Sequence, residues 1–327
     1  MPPFVSVVVT TYNQASYIGP ALESVFAQSH PPDEVIVVDD GSTDDTPERV
    51  APYRDRIVWI RQPNRGVAES RNTGIRRARG ELLAFLDGDD LWEPEKLAFQ
   101  VAAARAYPTS GLIAVDGVQF SENGITSESL FPPLLAHLFH GGLEEVSVDA
   151  STYLLRASVI WTTSQVMIPA RVFQIVGLSD PEFPLVNDWD LYLRIAERHP
   201  MAFVRRRLVR WRYHERSASG PASVRGLRWG EDGIRMLTKH LRQAPRERRG
   251  MVRAALRSQV YSTALEAYYR TTPGQRELGL RCLWRLLRWS GISAAPVMFL
   301  VAAYVPAWLT QPFLRMARAV RKACRTS

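Results

Sequence analysis

The chain has 327 residues, 46% of them hydrophobic and 23% charged. That excludes a globally disordered protein and leaves room for one large α/β domain with an appendage, or for two small domains. The net charge of +8 hides an asymmetry: residues 1–200 hold 15 Lys and Arg against 27 Asp and Glu, net −12, and residues 201–327 hold 26 against 6, net +20.

In chain order, residues 4–10 (FVSVVVT) are a β-branched run. The run is too short, and has too little basic charge before it, to be a secretory leader; it reads as a buried strand ending at Thr11-Tyr12-Asn13. Residues 15–28 have helical spacing, with Ile18, Leu22, Val25 and Phe26 on one face. Residues 34–38 (EVIVV) form a second strand, stopped by Asp39-Asp40-Gly41-Ser42, and Asp44 or Asp45 caps the helix that follows. Residues 56–60 read as a third strand, 67–77 as a helix, and 81–86 (ELLAFL) as a fourth strand ending in Asp87-Gly88-Asp89-Asp90. A helix over 93–104 has Pro94 in its first turn.

Residues 112–120 add a strand, and residues 121–160 show no clear period. Residues 166–175 fit a strand or a helix, 190–198 a short helix, 203–209 a strand, and 210–219 a loop. From Gly226 the texture is helical and basic. Residues 292–314 are uncharged and flanked by Arg285, Arg288, Arg315, Arg318, Arg321 and Lys322. They are long enough for a bilayer span, but Pro296, Pro306 and Pro312 interrupt them. The apolar stretch with basic flanks favours an anionic membrane surface, with packing on protein as the alternative. The two cysteines, Cys282 and Cys324, form no disulfide framework or metal-ligand spacing and fit a reducing compartment.

Strand–helix alternation predicts βαβ units and a mainly parallel sheet. In open sheets of that kind ligands bind beyond the carboxyl ends of the strands. The clusters Thr10/Thr11/Asn13, Asp39/Asp40 and Asp87/Asp89/Asp90 are therefore expected at one edge. Two carboxylates one residue apart, as in Asp87-Gly88-Asp89, can share a divalent cation that bridges a diphosphate; a solvated Asp-Gly turn is the plainer alternative. A carboxylate of the Asp39-Asp40 pair can accept from a base N–H or a ribose hydroxyl, or simply cap the next helix. His137 and His140, with Glu144 nearby, have an i, i+3 spacing that suits zinc, but no further ligand accompanies them.

Taken together, VSVVVTTYN (5–13), EVIVVDDGSTDDT (34–46), NRGVAESRNTGI (64–75), LLAFLDGDDLW (82–92), NDWDLYLRIA (187–196) and WRYHERSAS (211–219) resemble glycosyltransferase family 2 in order and spacing. The resemblance implies a GT-A fold: a Rossmann-like mixed, mainly parallel sheet flanked by helices. It covers about residues 1–222, leaving 223–327 as a basic helical C-terminal region.

The resemblance also implies roles. Thr10, Tyr12, Asp39, Asp40, Arg71 and Asp87 are expected at the nucleotide, with Asp87 at the ribose or behind the metal. Asp89 is the expected ligand of Mn²⁺ or Mg²⁺, and His214 approaches the metal or diphosphate. Asp188 is the expected catalytic base, although Asn187 stands where the family usually has Glu. Trp189 stacks on an acceptor sugar or belongs to the core, Asp190 caps a helix, and Arg212 contacts diphosphate. If so, the reaction is an inverting transfer from a nucleotide-sugar donor, UDP-type favoured, to a glycan or lipid-linked acceptor in bacterial cell-envelope assembly. The expected location is the cytoplasm, peripheral at the inner face of the plasma membrane, and no nucleic acid is expected as partner. A sugar-nucleotide nucleotidyltransferase is disfavoured because Thr11-Tyr12-Asn13-Gln14 is neither Gly-rich nor basic. A basic nucleic-acid-binding protein is disfavoured because no readout motif is present.

Overall fold

The computed structural model describes residues 3–214 and 223–269; Cys282, Cys324, the 292–314 stretch and residues 215–219 of the last motif lie outside them. The described residues fall into two compact units, 3–214 in one and 223–269 in the other.

The first unit is built on one sheet. Strands β1 (Val5–Thr11), β2 (Glu34–Asp39), β3 (Val58–Arg61) and β4 (Leu82–Asp87) lie parallel in the order β3-β2-β1-β4. Val5, Val7, Val8 and Val9 of β1 are all fully buried, as expected for a central strand covered on both faces. Helices α1 (Ile18–Phe26), α2 (Thr46–Val50) and α3 (Val67–Arg77) join these strands. Asp44, not Asp45, makes the capping contacts at α2: its Oδ1 accepts from Thr46 N at 3.0 Å and from Thr46 Oγ1 at 2.5 Å.

Beyond β4 the sheet turns mixed. After β5 (Leu91–Trp92) and α4 (Lys96–Ala106) come β6 (Leu112–Ser121), β7 (Gly124–Ser127), β8 (Glu145–Val148) and α5 (Ser151–Arg156). The ambiguous segment 166–175 splits into β9 (Val166–Pro169) and α6 (Ala170–Val176), followed by α7 (Asn187–Ala196) and β10 (Met201–Arg212). β9 lies between β4 and β6, antiparallel to both, and β10 pairs parallel with β6 and antiparallel with β5 and β8. The expected loop from Arg210 onward is corrected: ladder pairing continues through Arg212 opposite Phe120. That extension carries Arg212 to the acidic turn after β4.

The second unit contains α8 (Ser223–Gln243) and α9 (Arg246–Tyr269), which pack on each other. Ile234, Met236, Leu237, Val252, Leu256 and Val260 are buried in this unit.

One close approach in the first unit sets the site. A Cβ on Gly74 would lie 2.3 Å from Val8 Cγ1, so α3 rests directly on β1. Gly74→Ala must push the helix off the sheet. We expect a loss of about 1–3 kcal/mol of stability, read as a lower urea midpoint at unchanged m-value.

Candidate functional site

Register brings the three polar strand ends together. Thr10 lies opposite Asp87 on β4, and Thr11 lies opposite Asp39 on β2. Thr10 Oγ1 donates to Asp87 Oδ1 at 3.3 Å, and Asp40 N donates to Thr11 O at 2.9 Å. The loops after β1 and β2 are zipped by Asn13, whose N–H donates to Ser42 Oγ and whose Oδ1 accepts from Thr43 N. Asn13 takes a φ of 52°, a left-handed conformation that asparagine tolerates better than most residues. Tyr12, between these contacts, is 45% exposed.

The neighbouring aspartates differ in what holds them. Asp40 accepts from Gln62 Nε2 (2.8 Å), Arg65 N (3.0 Å) and Gly66 N (2.8 Å), and so pins the turn that enters α3. Asp39 accepts from Ser42 N through Oδ1, and its buried Oδ2 has the Arg61 guanidinium 3.4 Å away but no hydrogen bond. Thr11 Oγ1 is likewise buried without a hydrogen bond. Of the pair, Asp39 therefore has the unspent acceptor.

Arg71 is neither a surface arginine nor a free one. It is 7% exposed, and its Nη2 donates to Asp87 Oδ1 at 2.8 Å while Nη1 donates to Asn187 Oδ1 at 3.1 Å. Its Nε is buried without a partner. Asn187 opens α7, so one guanidinium ties the end of β4 to the start of the helix that bears Asp188. Burial works against the Arg71 charge, but Asp87 and Asp188 outweigh it and hold the guanidinium more firmly protonated than usual.

Asp188 is half-buried in the first turn of α7 and accepts from Trp189 N at 2.7 Å. It lines a small cavity with Arg71, Thr163, Ser179 and Tyr192. Burial pushes its carboxyl above the usual aspartate range, with the Arg71 charge opposing. Trp189 does not line the site. It is 1% exposed and donates its indole N–H to Leu154 O at 2.7 Å, so it belongs to the core and has no free face for a sugar. Asp190 is no cap either: it lies within α7, buried, and pairs with Arg194 at 2.8 Å.

The acidic turn after β4 divides its labour. Asp87 is held by Arg71 and Thr10 on Oδ1 and by Thr162 on Oδ2 (3.4 Å), so it does not simply share a cation with Asp89. Asp90 is 1% exposed; Thr162 Oγ1 (2.9 Å) and Ser164 Oγ (2.6 Å) donate to its Oδ2, and Arg212 N (2.9 Å) to its Oδ1. Burial, reinforced by Asp89 and Asp87, pushes its carboxyl well up. Gly88 lies close to the end of β1: a Cβ there would lie 2.6 Å from Gln14 Oε1 and 3.1 Å from Thr10 O, so Gln14 and the turn would have to shift.

Asp89 is the member turned toward other chemistry. Its Oδ2 lies 3.1 Å from His214 Nε2, and its backbone oxygen accepts from Arg212 Nε at 2.8 Å. The His214 ring packs on Tyr17 at 5.1 Å, and the Arg212 guanidinium lies over Tyr17 and Phe120. Two cis ligands of an octahedral ion at about 2.1 Å stand about 3 Å apart, so this oxygen–nitrogen pair suits a divalent cation. No group of three or more His, Cys, Asp or Glu able to hold a metal occurs among the described residues. His137 instead meets Tyr153 OH at 2.8 Å.

Three participants escaped the sequence reading: Thr162, Ser164 and Tyr17. Their contacts with the acidic turn or with His214 join residues far apart in the chain. Only the T-x-x-Q capping box at Thr162–Gln165 left a local signal.

Residues 6–151 match the model of glycosyl transferase family 2. The chain carries a glycosyltransferase family 2 domain. It is similar to TuaG of Bacillus subtilis, provisionally named a teichuronic acid biosynthesis glycosyltransferase, at 37% identity over 139 residues, covering 39% of this chain and 55% of TuaG. Among solved structures, S. aureus TarS 1–349 in complex with UDP-GlcNAc aligns with a TM-score of 0.66 at 19% identity, over 87% of this chain and 81% of that one. Mannosyltransferase PcManGT from Pyrobaculum calidifontis, in complex with GDP-Man and Mn²⁺, aligns with a TM-score of 0.58 at 22% identity, over 100% and 89%. The family 2 domain therefore has the GT-A fold. Of the Rickettsia relatives it matches, the chain spans 35% of the length of some and 67% of others.

The Arg71–Asp87 pair is testable as the brace of the family 2 domain. Arg71→Met leaves Asp87 without its counter-charge; because Asp87 is a quarter exposed, we expect a loss near the low end for buried pairs, about 3 kcal/mol. Adding Asp87→Leu to Arg71→Met should restore at least half of that loss in urea unfolding, through a coupling term that independent sites do not show.

Proposed function

We propose that this protein is a metal-assisted, inverting glycosyltransferase. On this reading it moves a sugar from a nucleotide-diphosphate donor, UDP-type favoured, to a hydroxyl of a glycan or lipid-linked acceptor in cell-envelope assembly. One observation carries the reading: Asp188, Arg71, Asp87 and Asp89–His214 stand at one edge of the sheet, joined by Arg71 and by the acidic turn.

The nucleotide would lie at the ends of β1 and β2. Tyr12 offers an exposed ring to the base, and Thr10, Thr11 and Asp39 are polar groups beside it. Asp40 acts by holding the 62–66 turn, and Asp87 lies toward the ribose with Arg71 behind it. Asp89 and His214 would hold the cation, and the imidazole favours Mn²⁺ over the harder Mg²⁺. A bound cation supplies neutralisation of the charge that develops on the departing diphosphate. Arg212, fixed beside Asp89, adds positive charge on the same side.

Asp188 takes the proton of the acceptor hydroxyl. The oxygen then bonds to the anomeric carbon as the bond from that carbon to the diphosphate oxygen breaks, and the configuration inverts. The sugar donor and Mn²⁺ are supported by the UDP-GlcNAc bound in TarS and the GDP-Man and Mn²⁺ bound in PcManGT, and the envelope setting by the name of TuaG. Peripheral attachment to the anionic inner face of the plasma membrane is part of the proposal, supported by the net +20 of residues 201–327. No helix among the described residues is long and apolar enough to cross a membrane.

Asp188→Asn should keep UDP affinity within about twofold and lose about 10²–10⁴-fold in transfer rate. The measurement is nucleoside diphosphate release from a panel of UDP- and GDP-sugars with Mn²⁺; near-normal transfer by the variant refutes the base role. The working form of Asp188 is the carboxylate, so activity falls as pH drops through its pKa. Because burial raises that pKa, the acid limb of kcat should lie above the ordinary aspartate value of about 4. His214→Ala should weaken UDP binding about tenfold with Mn²⁺ present and leave it unchanged in EDTA, as read by calorimetry.

A further inference from the structure

Two tryptophans beside the acidic edge have no part in the scheme above. Trp161 is 50% exposed, and its ring meets that of Trp211 edge to face, with centroids 5.9 Å apart and planes at 76°. It is held in place: its backbone N–H donates to Gln165 Oε1 at 2.9 Å, within the capping box that starts at Thr162. The same turn touches both halves of the site. Thr162 Oγ1 donates to Asp90 Oδ2, and Thr163 lines the cavity that contains Asp188 and Arg71. From Trp161 to Thr163 is at most about 7 Å of chain.

Strand alternation assigns a side. Trp211 and Arg212 are neighbours on β10, so their side chains leave opposite faces. Arg212 faces Tyr17 and the Asp89 backbone, next to His214. Trp211 leaves the face on which it packs against the core of β1, α1 and α4. The aromatic pair is joined to Asp188 through Thr163, two residues after Trp161.

An indole held half in water is a poor arrangement for stability and a good one for a ring that has a polar rim and a face of C–H bonds. We propose that Trp161, braced by Trp211, is the platform on which a pyranose ring of the acceptor lies while its hydroxyl faces Asp188. This assignment rests on the glycosyltransferase reading.

The test is ligand-observed saturation-transfer NMR on the full chain with Mg²⁺ and either UDP or GDP. The probes are methyl β-D-glucopyranoside, methyl α-D-mannopyranoside and methyl N-acetyl-β-D-glucosaminide. At least one glycoside should receive saturation, strongest on the C–H protons of one ring face. Trp161→Ala should reduce that signal about five- to tenfold and Trp161→Phe about twofold, with nucleotide signals unchanged in both. The half-exposed side chain makes misfolding of these variants readable, since the nucleotide signal would then fall too. Wild-type glycoside saturation in Trp161→Ala, or nucleotide saturation without any glycoside signal in the wild type, overturns the proposal. Absence of any nucleotide signal in the wild type sinks the glycosyltransferase reading itself, and the platform with it.

Discussion

The Arg71 guanidinium is the constraint on which the site depends. It is buried, and the positive charge of a buried arginine must be matched where it sits. Asp87 matches it from the end of β4, and Asn187 and Asp188 meet it from the start of α7. Those two segments are about a hundred residues apart in sequence. With asparagine at position 187, Arg71 gains a neutral acceptor, so Asp87 and Asp188 are the two carboxylates that set its charge balance. This answers the question raised by the departure at position 187: the residue orients the arginine without adding a negative charge beside Asp188.

Environment gives the aspartates different work. Asp40 accepts from two backbone N–H groups and the Gln62 amide, Asp90 from two hydroxyls and one backbone N–H, and both hold turns in place. Asp87 faces Arg71 and serves as its counter-charge. Asp89 meets His214 in a direct 3.1 Å contact. Asp188 is half-buried, which raises its proton affinity, and the nearby Arg71 keeps that rise in check. The same side chain thus braces a turn, balances a buried charge, pairs with a histidine or holds its proton more tightly according to what surrounds it.

The scaffold that allows this is tightly packed. Gly74 lets α3 lie on β1 closely enough for Arg71 to reach Asp87, and Gly88 lets the acidic turn sit against the end of β1. The run of β10 beyond the expected strand end performs a third positioning step, since it delivers Arg212 and then His214 to Asp89.

The sequence by itself determined the alternation of strands and helices through β4, the bounds of α3, and the gathering of acidic strand ends at one edge. These follow from period and from strand direction, which are local properties. Residues 166–175 were ambiguous because a four-residue strand feeding a seven-residue helix presents one short apolar run to either period. Only the tertiary structure decided that Trp189 is core, that Arg71 is a buried brace, and that Asp40 and Asp90 are spent on turns while Asp89 meets His214. Each of those outcomes depends on which distant group fills a hydrogen-bonding valence or excludes water, and spacing along a chain carries no record of that.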